Sequence, residues 1–239
     1  MGDREGDPVT LAFVEAFGPT IQGEGPQAGH ACSFVRFGAC NLSCSWCDSA
    51  YTWNAAKYSM REQITMLDAD DVHDRIPDAA MLVITGGEPL MQQKRADWDE
   101  FLTRAAERFK FISIETNGTI EPNAYSLHYI DQFVVSPKLM TVNMLRPKQD
   151  RTPWEGWSSV YEAAVDFKIV VSTPEDIPEA LAISDRAGIN RKKLWLMPEG
   201  VTPAALADKW GWLTNAAAEH GCNASHRLHV LSWGEERGH

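Results

Sequence analysis

The sequence predicts an α/β fold built on a parallel sheet, and three observations lead to it. Short apolar runs rich in β-branched residues alternate with amphipathic stretches long enough to be helices, the pattern of strands joined by crossovers. Strand after strand ends in a polar or glycine motif, which places those motifs together at one end of the sheet. A chain of 239 residues that is 44% hydrophobic can bury one substantial core, so residues 1–239 are expected to form one domain.

Residues 1–9 read as a disordered leader, charged and without the apolar segment of a secretory signal. A strand over 10–17 is expected to turn at Gly18 and Pro19 into a loop over 20–26. There Gly23 and Gly25 let a ligand approach the main chain, and Gln22 and Glu24 offer side-chain hydrogen bonds. Taken alone such a loop is more often a plain connection. A strand over 33–37 leads into the cysteine-rich loop. A short helix over 70–76 precedes a strand over 81–85, which ends in Gly86, Gly87, Glu88 and Pro89. An apolar strand followed at once by two glycines and a carboxylate brings backbone against a ligand. No Gly-Lys-Ser/Thr follows, so it is not a phosphate loop.

The alternation continues with a helix over 98–109, a strand over 111–116 ending in Asn117 and Gly118, and a strand over 132–136 ending in Pro137 and Lys138. Residues 140–158, polar and basic with Pro147, Pro153 and two tryptophans, read as an irregular surface excursion, with a lid or a dimer contact as the sharper alternative. A strand over 164–171, a helix after Thr173 and Pro174, a strand over 193–197, a helix over 203–220 and a last strand over 227–231 complete the chain.

The formal charge of −11 argues against a nucleic-acid partner, which needs clustered Lys and Arg. One or two arginines still suffice to hold a small anion. No run approaches the ~18 consecutive apolar residues of a membrane helix, and a cytoplasmic location is expected. Of five cysteines, three are clustered, while Cys32 and Cys222 stand far apart. That is no disulfide framework, and the two outliers read as small hydrophobes outside the site.

Cys40, Cys44 and Cys47 have C-x3-C-x2-C spacing, close enough to converge on one soft metal centre. Three cysteinates on a cubane leave one iron open, whereas structural zinc wants four closed ligands. Zinc completed by His30, His73 or Cys222 is the alternative, and unligated thiols are a third possibility.

With that spacing, Gly86 to Pro89 and the strand order, the chain resembles the radical S-adenosylmethionine (SAM) superfamily. More narrowly it is similar to the 7-carboxy-7-deazaguanine synthases. The narrower match rests on Gln22 to Gly25, Phe34 to Phe37 with Arg36, Cys47 to Ser49, Tyr51 to Trp53, Thr85 to Pro89, Glu115 to Gly118, Ser136 to Lys138 and Arg227 to His229. The resemblance implies a partial, open (β/α) barrel that carries a 4Fe-4S cluster. It further implies conversion of 6-carboxy-5,6,7,8-tetrahydropterin to 7-carboxy-7-deazaguanine with loss of ammonia, in queuosine biosynthesis. SAM, cleaved and regenerated each cycle, acts as a true cofactor.

On the same ground the cluster is held by Cys40, Cys44 and Cys47. SAM meets the main chain of Trp46, Cys47 and Asp48, then Gly87, Glu88, Ser136, Pro137 and Lys138. The pterin meets Ile21, Gln22, Gly23, Glu24, Thr85 and Arg36, whose planar guanidinium suits a carboxylate. Mg2+ sits on a hydroxyl directly after the Cys-Asp pair, where this chain has Ser49 in place of the family's threonine. Ala39 replaces the glycine common before the first cluster cysteine, a departure given no functional meaning. A homodimer and a flavodoxin- or ferredoxin-type reductant are also implied. Other readings are a glycyl-radical activase, which has no use for Gln22 to Gly25 with Arg36, and a zinc or iron-sulfur binding module, against which Gly86 to Pro89 argue.

Overall fold

Nearly continuous apolar runs such as Met81 to Ile84, all buried, belong to strands covered on both faces, and such strands form parallel sheets. In a computed structural model, which describes residues 10–160, 164–234 and 236–238, they build a nine-stranded sheet. Its strands are β1 (Leu11–Ile21), β2 (Ala31–Phe37), β3 (Thr65–Leu67), β4 (Met81–Gly86), β5 (Phe111–Thr116), β6 (Gln132–Val135), β7 (Val165–Val171), β8 (Leu194–Pro198) and β9 (Asn223–Ala224). The order is β3-β1-β2-β4-β5-β6-β7-β8-β9. β1 pairs antiparallel with β2 and β3, and every pair from β2–β4 to β8–β9 is parallel. The expected leader lies outside the described residues.

The helices are α1 (Met60–Gln63), α2 (Ala69–Asp74), α3 (Asp97–Arg108), α4 (Ala124–Tyr129), α5 (Ile177–Arg186), α6 (Pro203–Glu219) and α7 (Leu228–Trp233). α3 shows why they form. Trp98, Phe101, Leu102 and Ala105, at i, i+3, i+4 and i+7, are its buried stripe, with Asp97, Asp99 and Glu100 at its positive end and Arg108 in its last turn. Trp98 and Phe101 meet the ring of Phe37 edge-on at 5.8 and 5.4 Å, which fixes α3 beneath the strand that enters the cysteine loop.

Two expectations are corrected. β1 does not stop at Gly18 and Pro19 but runs on to Ile21, pairing Thr20 with Cys32 and Ile21 with Ala31 after a register shift between Phe17 and Thr20. The bulge accommodates the proline, which cannot donate to the ladder. Residues 227–231 are not a strand: Leu228–Trp233 is the helix α7, and the sheet edge is instead the two-residue β9. A short apolar run fits either period, and here only Val230 of the helix is buried. The sequence reading also passes over β3 and α4, three and six residues long, too short to show a period.

Residues 140–158 pack on the cysteine loop. Cys44 bridges antiparallel to Met144, Ser45 N donates to Asn143 O (2.9 Å) and Leu145 N to Ser43 O (2.8 Å). Trp157 is fully buried and donates to Gly118 O (2.8 Å).

Ala39 has φ +71, in the left-handed region that costs any residue with a Cβ. The position is held by its N–H donating to Thr52 O (2.9 Å) and its carbonyl accepting from Glu88 N (2.8 Å). The departure therefore has a backbone consequence. Ala39→Gly is expected to raise stability by about 0.5–1 kcal/mol, the relieved strain less the added freedom of the unfolded chain. A urea midpoint that stays or falls would refute this.

Candidate functional site

Strand ends β2, β4, β5, β6, β7 and β8 open on one cavity of about 390 Å3. Parallel pairing sets residues from neighbouring strands side by side: Arg36 lies opposite Thr85, and Phe37 opposite Gly86. Cys40, Cys44 and Cys47 all reach the cavity wall. Leu42 N (3.4 Å) and Asn117 Nδ2 (3.9 Å) donate to Cys40 Sγ, and Trp53 Nε1 donates to Cys47 Sγ (3.3 Å). Donors aimed at sulfur stabilise thiolates and tune a bound cluster. Burial pushes the Cys40 thiol up to about 12 and Cys44 upward as well. A coordinated soft metal reverses that by holding the thiolate. His30, His73 and Cys222, offered as zinc ligands, are not on this wall. Among the described residues no three His, Cys, Asp or Glu side chains gather as a single-ion site. A cubane presents a separate iron to each thiol, so the donor set suits it.

The two glycines after β4 exist because main chain meets main chain there. A Cβ on Gly87 would lie 2.7 Å from the Ala39 carbonyl carbon and 3.0 Å from Cys40 Cβ. Gly87 N donates to Phe37 O (3.0 Å). Glu88 is fully buried, accepting from Leu90 N (3.0 Å), Thr116 Oγ1 (2.8 Å) and Asn117 N (2.7 Å). Burial pushes its carboxyl up to about 7 against those three donors. Its side chain joins the β4 and β5 loops, and neither it nor Pro137 lines the cavity.

The other sequence-expected residues, Ile21, Gln22, Gly23, Glu24, Arg36, Trp46, Asp48, Ser49, Thr85, Gly87, Ser136 and Lys138, do line it. Lys138 Nζ donates to Ser136 Oγ (2.8 Å) and lies 5.8 Å from the Trp46 ring centroid. Arg36 Nε donates to Glu15 Oε1 (2.8 Å), which also accepts from the Tyr51 hydroxyl (2.7 Å). A guanidinium has four further N–H donors. Ser49 Oγ lies 3.6 Å from Cys47 Sγ, while its carbonyl, not its hydroxyl, closes the turn onto Thr52 N (2.9 Å).

Beneath the loop lies a charge network centred on Lys168, a residue that no sequence motif includes. Lys168, 5% exposed, donates to Glu24 Oε2 (2.5 Å) and Glu115 Oε1 (3.1 Å). Arg227 donates to Glu24 Oε1 (2.8 Å) and Asp48 Oδ2 (2.5 Å). Glu115 accepts from Thr85 Oγ1 (3.0 Å) and Gln22 Nε2 (3.4 Å). Burial opposes charge on both Glu24 and Lys168. Lys168 and Arg227 nevertheless hold Glu24 well below the carboxylate range, and Glu115 and Glu24 keep Lys168 raised. The signal available in sequence is Lys168 itself, a lone cation inside the apolar run of β7.

A family model described as a 4Fe-4S single cluster domain matches residues 21–143. The 7-carboxy-7-deazaguanine synthase of Pyrobaculum aerophilum is 30% identical, covering 92% of this chain and 93% of that protein. Those of Halobacterium salinarum (32%; 96% and 93%) and Bacillus subtilis (28%; 95% and 98%) match over similar spans. The crystal structure of QueE from Escherichia coli superposes with a TM-score of 0.65 at 24% identity, covering 91% of this chain and 93% of that one. That likeness is one of fold.

Proposed function

Because the chain belongs to the 7-carboxy-7-deazaguanine synthase family of radical SAM enzymes, we propose that it converts 6-carboxy-5,6,7,8-tetrahydropterin to 7-carboxy-7-deazaguanine with release of ammonia, in queuosine biosynthesis. Its sheet is the partial (β/α) barrel of that superfamily. The observation that carries the reading is one cavity whose wall joins three thiols to Arg36, Thr85, Gln22 and Glu24. When bound, the reduced cluster and SAM supply a hydrogen-abstracting radical. The chain's residues bind, orient and exclude water. Cys40, Cys44 and Cys47 hold the cluster. Trp46, Asp48, Gly87, Ser136 and Lys138 border the place for SAM, with Glu88 and Pro137 bracing it from behind. Arg36, fixed by Glu15, offers its remaining N–H donors to the substrate carboxylate. Lys168 and Arg227 hold Glu24 ionised beside Gln22, so that loop presents acceptors to the N–H groups of the pterin.

Mg2+ is a further cofactor in this reading, with Ser49 as its protein ligand. Support comes from a hydroxyl on the cavity wall that makes no capping bond, and from the habit of Mg2+ of keeping waters and sharing substrate oxygens. The enzyme would act as a homodimer in the cytoplasm, reduced by a flavodoxin- or ferredoxin-type protein. A reducing compartment suits an oxygen-sensitive cluster, and no helix among the described residues is long and apolar enough to cross a membrane.

The test is anaerobic reconstitution followed by SAM, dithionite and the carboxypterin, with product read by absorbance and mass. SAM cleavage without product would sink the substrate. In the same assay Mg2+ is expected to raise turnover, Ser49→Ala to remove most of the stimulation and Ser49→Thr to keep it, since a β-branched hydroxyl is stiffer. Turnover indifferent to Mg2+ and to chelator, with Ser49→Ala unaltered, removes the metal.

A further inference from the structure

The turn that follows the third thiol is tied to the residue that precedes the first. Thr52 N and Thr52 Oγ1 both donate to Ser49 O (2.9 and 2.8 Å), and Ala39 N donates to Thr52 O (2.9 Å). These bonds leave the next side chain, Trp53, on the cavity wall, where its indole N–H donates to Cys47 Sγ at 3.3 Å. The Ser49 hydroxyl is further from the same sulfur, at 3.6 Å. A thiol is a weak acceptor, whereas a thiolate brings charge to the bond and strengthens it.

The indole has a second partner. The Arg146 guanidinium lies 5.6 Å from the Trp53 ring centroid, within reach of a cation–π contact. Arg146 in turn donates to Leu42 O (2.7 Å) and Cys40 O (3.1 Å), so the cation that steadies the indole is anchored on the cysteine loop itself. A positive charge beside the ring draws electron density from its nitrogen and makes the N–H a stronger donor. Trp53 is only half-buried, so bulk alone does not call for an indole at this place.

We propose that Trp53 raises the reduction potential of the cluster held by Cys40, Cys44 and Cys47, through its bond to Cys47, and that Arg146 is the residue that positions it. The inference rests on the cluster reading and adds which residues set the potential. Its sign follows from charge. The electron that reduces a cluster is shared out over its sulfurs, so a donor at one of them is bound more strongly after reduction than before, which favours the reduced state. Removing the donor moves the potential down. Opening the wall to water moves it up, since water brings donors and a higher dielectric to the same sulfurs. A residue that donates and one that only packs are therefore told apart by the direction of the shift.

The experiment is an anaerobic potentiometric titration of the reconstituted protein without SAM or substrate, read by visible absorbance and by the electron paramagnetic resonance of the reduced cluster. Trp53→Phe keeps an aromatic ring and deletes the donor. It is expected to load about four irons per chain and to lower the reduced-to-oxidised ratio at a fixed poise roughly three- to tenfold, ~30–60 mV for a one-electron couple. Arg146→Gln is expected to shift the potential the same way by less, and Arg146→Lys to restore most of it; no fall in Arg146→Gln overturns the positioning role. An unchanged or raised potential in Trp53→Phe overturns the proposal. Should that variant fail to take up iron, the arginine pair decides: a fall in Arg146→Gln that Arg146→Lys reverses sustains the proposal, and potentials equal to wild type in both overturn it. A wild-type preparation that holds only zinc overturns the cluster reading, whereas an iron-loaded one whose variants do not shift overturns this inference alone. If wild-type protein cleaves SAM but makes no product from the carboxypterin, the substrate assignment fails and the expected shifts stand.

Discussion

Replacing Cys40, Cys44 or Cys47 with Ala is expected to abolish reductive SAM cleavage outright, while Cys32→Ala and Cys222→Ala retain it. Each of the three thiols occupies its own place on the cavity wall. Losing one opens a second iron to water, and no spare thiol is at hand. Cys32 is fully buried in β2, where desolvation pushes its thiol up to about 12, and Cys222 Sγ donates to His220 O (3.6 Å) beyond α6. Anaerobic wild-type protein should contain about four irons per chain. A preparation that binds only zinc and resists iron, or a single variant of the three that still yields 5'-deoxyadenosine, would overturn the assignment.

The largest expected effect on stability belongs to Lys168→Met. The substitution keeps volume and removes the cation shared by Glu24 and Glu115. With the lysine 5% exposed and Glu24 12%, Glu24 is left to Arg227, which it shares with Asp48, and Glu115 loses the cation it pairs with. Breaking a buried pair from one side costs roughly 3–5 kcal/mol. The loss should appear as a lower urea midpoint at unchanged m-value. Adding Glu115→Gln to Lys168→Met should recover part of it, because the carboxylate left without a cation goes. A loss below about 1 kcal/mol would show that water reaches the pair and screens it.

The parallel strands are legible in the sequence because each is a short apolar run stopped by a turn motif, and a two-faced buried strand has no other pattern. The proposed cluster ligands stand out in the sequence because three thiols lie within eight residues and need no distant partner. Illegible parts depend on contacts remote in sequence. Gly18 and Pro19 look like a stop, and only pairing with β2 carries the strand past them. Leu228 to Leu231 alternate like a strand, and only the docking of Leu228 N on Gly23 O (2.9 Å) shows that the last segment serves the N-terminal loop. Glu15 and Lys168 belong to no motif. Their importance arises when β1 and β7 bring them beneath the cavity.

The ion pair between Glu24 and Arg227 joins residues 203 positions apart, and this dictates an order of assembly. The thiols, the glycine turn and the strap over residues 140–158 are all present once about two thirds of the chain has been made. At that stage Glu24 and Asp48 still face water, without the cation that later neutralises them. A contact across so long a loop is expected to form late, since it requires both ends of the chain. Arg227, His229 and Val230 line the far side of the cavity, so a chain trimmed before Arg227 is expected to take up iron on the proposed ligands and to fail to retain a small anionic substrate.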